Sequence, residues 1–214
     1  MKKTLSLLTV LLAVGIILAV PSTLQGAWVG NDLIKGNSEN GILVEGYIID
    51  GASSFLSSYS DLFLLLNESE TGLKKGINLG RVLKVTENAL DKLETSVKSY
   101  ELALAVIRSS TFSENWLEAL KNFDYEKLTE TRHLHPDVMN LVAGFLTNGD
   151  IVGLYQQLTD NMNQLAAQLR TLVTGTKKGL IPEMEALRAL YQQYSDSMLF
   201  GYYISLVFSE AKPL

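Results

Sequence analysis

From Leu79 to Ile107 apolar side chains recur at alternating steps of four and three residues: Leu79, Leu83, Thr86, Leu90, Leu93, Val97, Tyr100, Leu104 and Ile107, with Thr86 the one polar member. A mean step of 3.5 residues lines these positions up in one seam along an α-helix and scatters them over both faces of a strand. Val82, Ala89, Ser96 and Ala103 flank the seam every seven residues and are small enough to let a second helix come close. This stretch reads as a long helix packed on another helix.

The same period runs through three further segments. Ile42, Ile49, Leu56 and Phe63 form one column, with Ile48, Phe55 and Leu62 beside it and Ala52, Tyr59 and Leu66 next to those; Asp50, Ser54, Ser57 and Asp61 take the opposite face. Later, Ile151, Leu158, Leu165 and Leu172 stand beside Tyr155, Met162 and Leu169, with the amides Asn161 and Gln168 at the edge of the stripe. The last segment, from Pro182 to Ser209, carries Met184, Leu187, Tyr191, Tyr194, Met198, Ile204 and Phe208. Pro182 suits a first helical turn. Four amphipathic helices of about 40 Å bury their stripes most simply in an all-α fold, an up-down four-helix bundle of two helical hairpins. The expected organisation is a lead-in at 28–41 closing on the turn signal Asn40-Gly41, a first hairpin at 42–109, a helical insert at 110–148 and a second hairpin at 149–214.

The two hairpin loops resemble each other. Thr71-Gly72-Leu73-Lys74-Lys75-Gly76-Ile77 and Thr174-Gly175-Thr176-Lys177-Lys178-Gly179-Leu180 agree at five of seven positions, at an offset of 103 that also maps Ile48, Phe55 and Leu62 onto Ile151, Leu158 and Leu165. Two origins fit: a duplicated hairpin, or convergence on the usual Gly and Lys of helix C-termini. Glu68 and Glu70 are unfavourable near a helix C-terminus and place the end of the first helix near Asn67. In an up-down bundle both loops lie at one end, where Lys74, Lys75, Lys177 and Lys178 read either as solvated loop lysines or as an anion-binding tip.

The insert reads as two or three short helices, one face using Phe112, Trp116, Leu117, Leu120 and Phe123, another Val138, Leu141, Val142 and Phe145, from Pro136 to Asn148-Gly149. It holds both histidines of the chain. Glu130, His133 and His135 form the one candidate metal set, a single Glu-x-x-His where a carboxylate di-iron bundle needs two; helix-end residues beside Pro136 are the alternative reading. No nucleophile elbow, zinc-protease or dinucleotide motif occurs, so no catalytic residue is assigned and no cofactor is expected. A haem held by His and Met is the weaker reading of methionines that fit core stripes. Near the C-terminus Ser197–Ser209 is uncharged, and Phe200, Tyr202, Tyr203 and Phe208 cover more than one face. They are either covered by the insert or offered as an interaction surface.

The chain begins Met1-Lys2-Lys3, then runs 17 residues without charge from Thr4 to Val20, with Pro21 and the small Gly26-Ala27 following. A basic start, an apolar run and a small-residue exit form the pattern of a bacterial signal peptide over 1–27, either cleaved or kept as an inner-membrane anchor facing the periplasm. Its removal takes two lysines and no acid from a net charge of −5, leaving −7. An acidic balance argues against nucleic acid. The complete lack of cysteine excludes disulfides and thiolate chemistry. The expectation is an exported, periplasmic or extracellular, non-catalytic helical bundle that binds an envelope protein or a second copy of itself. The alternatives are a ligand, metal or haem carrier or enzyme, or a protein acting through the lysine tip.

Overall fold

The computed structural model describes residues 33–35, 38–72, 78–211 and 213, and the fold is all-helical. The expected signal segment, Lys74 and Lys75 lie outside the described residues. Four long helices are present: α1 (Ser38–Gly72), α2 (Leu79–Ser109), α6 (Ile151–Lys177) and α7 (Met184–Glu210); between them come α3 (Glu114–Lys121), α4 (Tyr125–Arg132) and α5 (Pro136–Leu146). Helix α1 packs on α2, α2 on α6, α6 on α7 and α7 back on α1, while α5 rests on α6 and α7. Among the described residues no helix is long and apolar enough to cross a membrane.

Side-chain size sets the spacing of the pairs. Helices α1 and α2 approach closely through Gly51, Ala52, Ala89, Ser96 and Ala103, and each donates a serine hydroxyl to the other's backbone: Ser58 Oγ to Ala89 O (2.6 Å) and Ser96 Oγ to Gly51 O (2.7 Å). Seven residues forward on α1 is seven back on α2, so the pair is antiparallel and in heptad register. Helices α2 and α6 keep a second register, in which Glu87 meets Lys177 (2.8 Å), Glu94 meets Arg170 (2.7 Å) and Arg108 meets Gln156. Exposed pairs of this kind contribute about 0–1 kcal/mol each, so they choose the register and burial drives the packing. Helix α7 instead meets α1 through large rings: Phe55 on Tyr194 (centroids 5.2 Å apart), Tyr59 on Tyr191 (4.8 Å) and Phe63 on Tyr191 (5.9 Å).

Several expectations are corrected. Ile42 is 58% exposed, and the buried line of α1 runs instead through Val44, Ile48, Ala52, Phe55, Tyr59, Leu62 and Leu65. On α2 the small column Ala89, Ser96 and Ala103 is wholly buried while Leu83 and Leu90 are half-buried. A helix in contact with two neighbours buries a band wider than a two-helix seam, and its centre shifts toward the closer partner. Asn40-Gly41 is no turn but lies in the first turns of α1, where Gly41 is buried. Helix α1 passes Asn67 and continues to Gly72; the charge–dipole penalty there is only about 0.3–1 kcal/mol. Thr174–Lys177 is helix, not loop. Helix α6 ends on left-handed Gly179, with Leu180 N–H on Gly175 O (3.1 Å) and Gly179 N–H on Thr176 O (3.0 Å), the paired bonds of a Schellman end. Pro182 precedes the N-cap Glu183 rather than opening α7. On α5 the buried residues are Met139, Val142 and Leu146, and Leu141 is 47% exposed.

Two glycines of α1 make a matched test. A Cβ on Gly51 would lie 2.6 Å from the buried Tyr100 ring, whereas one on Gly46 would meet nothing within 4 Å. Alanine gains about 1 kcal/mol over glycine in a helix interior, and overpacking a core costs about 1–3 kcal/mol. Gly46→Ala is expected to raise the urea midpoint and Gly51→Ala to lower it. Equal shifts would show that α1 and α2 are not in close contact at Gly51.

Candidate functional site

The insert is folded by its own capping residues. Asp124 accepts the Lys127 N–H (2.9 Å) to start α4, and the Tyr125 hydroxyl ties back to Leu120 O (2.7 Å). Helix α4 ends with His133 in the left-handed region (φ 53°), Leu134 N–H on Thr129 O (2.9 Å) and His133 N–H on Glu130 O (3.3 Å). His135 is the N-cap of α5 with Pro136 in its first turn, and its N–H donates to the Tyr203 hydroxyl (2.6 Å). Both histidines therefore stand at helix ends. Glu130, His133 and His135 are exposed, and among the described residues no three His, Cys, Asp or Glu side chains gather where a metal ion would sit. A left-handed conformation costs a residue with a Cβ about 1–2 kcal/mol. His133→Gly is accordingly expected to stabilise the protein by about 1 kcal/mol, read as a higher melting temperature; a loss would reveal side-chain contacts that hold His133 in place.

The lysine tip is only partly in view. Lys177 is paired with Glu87 (2.8 Å) and Lys178 is the C-cap of α6. The C-terminus of α6 carries the negative pole of its own dipole, which suits lysine. At the aromatic end of α7, Phe200, Tyr203 and Phe208 are 3%, 3% and 1% exposed, covered within the chain as in the first of the two readings; Tyr202 alone of the four is half-buried. Trp116 lies 6.5 Å from Phe208, centroid to centroid, and the insert supplies the cover.

Among the described residues, three concavities bear on a candidate site. Between α1, α2, α6 and α7 is a narrow crevice of about 40 Å³ bounded by Ala52, Phe55, Tyr100, Tyr155, Met162 and Gly201, far below the about 300–1,000 Å³ of ligand clefts. Burial raises the pKa of Tyr100, of Tyr155, where Tyr100 adds to the effect, and of Tyr194, where the Ser58 hydrogen bond opposes it. A second concavity is an open groove of about 710 Å³ between α3, α4 and the end of α7. Its apolar surface comes from Ala119, Phe123 and Leu128, its polar surface from Asn115, Glu118, Asn122, Lys127, Arg132 and Glu210. Arg132 and Glu210 pair across it at 2.6 Å. A third, shallower groove of about 360 Å³ runs between α5, α6 and α7, lined by Asn161, Gln164, Gln193, Asp196 and Phe200 among others.

The sequence offers Phe123 among the insert's aromatic residues, which read as closing a core or, the weaker reading, as binding a ligand, and marks none of the other residues of the 710 Å³ groove, because short helices carry too few turns to show a period. For the shallow groove a signal existed. Gln157, Asn161, Gln164 and Gln168 follow one another at steps of four, three and four, one face of α6 made of uncharged amides. No known protein family, curated protein or solved structure matches the chain.

Proposed function

We propose that this protein is a non-catalytic binding protein of the bacterial cell envelope, exported by residues 1–27, and that its four long helices form an up-down bundle. Support for the bundle comes from the closed circuit of pairwise packing and from antiparallel registers such as Ser58–Ala89 with Gly51–Ser96. Support for export comes from the Lys2-Lys3 start, the uncharged run Thr4–Val20 and the small Gly26-Ala27.

The observation that carries the binding role is the 710 Å³ groove. It is open, apolar at Ala119, Phe123 and Leu128, and edged by charges of both signs, which is the make-up of a surface that receives another protein. The occupant is a segment of a partner protein in the envelope. A photo-crosslinking residue in place of Asn122 should give one adduct of defined mass in intact cells, and one in place of Lys98 on α2 should not. Arg132→Glu reverses the charge facing Glu210 and should abolish the adduct at a cost of no more than about 1–2 kcal/mol in stability, with the helical circular dichroism retained. An adduct that persists in Arg132→Glu, or one of twice the chain mass, overturns a hetero-partner in this groove.

A further inference from the structure

The face of α6 toward α7 is unusual for a solvated helix boundary. Such positions commonly carry Lys and Glu, whose charges keep them hydrated, yet Gln157, Asn161, Gln164 and Gln168 bring four amides and no charge. Three side-chain hydrogen bonds orient the polar groups of the groove they border. Gln157 Nε2 donates to Asn161 Oδ1 (2.9 Å), Gln168 Nε2 to Gln193 Oε1 (2.8 Å) and Gln192 Nε2 to Asp196 Oδ1 (2.8 Å). In each pair the accepting oxygen is engaged, and among the described residues the Nδ2 of Asn161, the Nε2 of Gln193 and the Oδ2 of Asp196 have no protein partner. Val138 and Leu141 supply an apolar wall, Leu141 47% exposed, above the buried Leu165 and Phe200, and the volume of about 360 Å³ lies at the small end of ligand clefts.

We infer that this groove between α5, α6 and α7 binds a neutral saccharide. Oriented amide donors and one carboxylate acceptor suit a ring of hydroxyl groups, each of which gives one hydrogen bond and takes another. The apolar wall of Val138 and Leu141 suits the C–H face of a pyranose. A phosphate or other anion would meet Asp196 and no cation within the lining, and a cation would meet one carboxylate alone. The inference stands apart from the partner groove, with which it shares no lining residue.

The test is a nuclear magnetic resonance titration of the folded protein with glucose, N-acetylglucosamine and their β-1,4-linked dimers, following side-chain amide signals assigned by single substitution. The Asn161 and Gln193 amides should move in a saturable way, with an affinity little changed by added salt. Gln193→Leu and Asn161→Leu should each weaken binding about tenfold, the effect of one lost hydrogen bond, while Asn115→Leu in the other groove leaves it intact. Melting curves separate lost binding from lost folding. The assignment is overturned if no saccharide moves these signals, if both leucine variants bind as well as the parent, or if a glycine-rich peptide moves the signals and the saccharides do not.

Discussion

Raised above pH 10, the protein is expected to lose its helix and expose tyrosinate in a single step. Tyr100, Tyr155 and Tyr194 are 5%, 4% and 0% exposed, and burial raises the pKa of each above the ordinary value of 10. In the unfolded chain the same phenols ionise near 10. Below that pH both states hold the protons, and these groups leave stability unchanged. Above it the unfolded chain releases protons that the native state retains, so stability falls as pH rises, at about 1.4 kcal/mol per pH unit for each tyrosine. Three such groups give about 4 kcal/mol per unit, and a domain of about 5–15 kcal/mol unfolds within a few units. Loss of exposed ion pairs as lysines deprotonate adds only about 0–1 kcal/mol apiece. The last tyrosinate absorbance to appear, that of these buried residues, should therefore rise together with the loss of far-ultraviolet circular dichroism, and Tyr155→Phe should move the midpoint to higher pH. Full tyrosinate absorbance with the helix intact would mean that these hydroxyls are reached by water in the native state.

The same burial explains how much of the fold was legible. A seam such as Leu79–Ile107 declares a helix whatever surrounds it, because its period belongs to the backbone. The centre of each stripe belongs to the neighbours. Ala89 and Ser96 look like flanking residues in the sequence and are central in the fold, because only their small side chains let Gly51 come within reach of the Ser96 hydroxyl. The end of α6 was misread for a related reason. Gly175 marks a turn by local preference, yet the chain stays helical until Gly179, where positive φ is needed. Neither groove can be assembled from the sequence, although the amide face of α6 that borders one of them is visible there. Glu210 meets Arg132 across 78 positions, and Gln193 meets Gln168 across 25. Such pairings follow from how α7 is laid down on aromatic side chains, which no single-helix pattern records.

Trp116→Ala is expected to be the most damaging single substitution in the insert, and Trp116→Phe close to neutral. The ring is 3% exposed, packs near Phe208 and belongs to the same core as Leu120, Met139 and Leu146. Truncating a buried tryptophan costs about 3–5 kcal/mol through lost transfer energy and the cavity left behind. For a domain of this size that is a fall of roughly 2–4 °C in melting temperature per kcal/mol. The indole N–H is the exception to the good packing: among the described residues it is the one buried side-chain nitrogen or oxygen without a hydrogen-bond partner. A buried donor in that condition costs about 1–3 kcal/mol. Phenylalanine keeps most of the ring and removes the donor, so its loss of contact is largely offset and the net change should stay below about 1 kcal/mol. Because the insert covers Phe208 on α7, Trp116→Ala should also raise amide hydrogen exchange over the last turns of α7, leaving the contact of α1 with α2 protected. Equal destabilisation by Ala and Phe would show that the indole N–H has a partner, and an unchanged α7 would show that the insert folds without supporting that end of the protein.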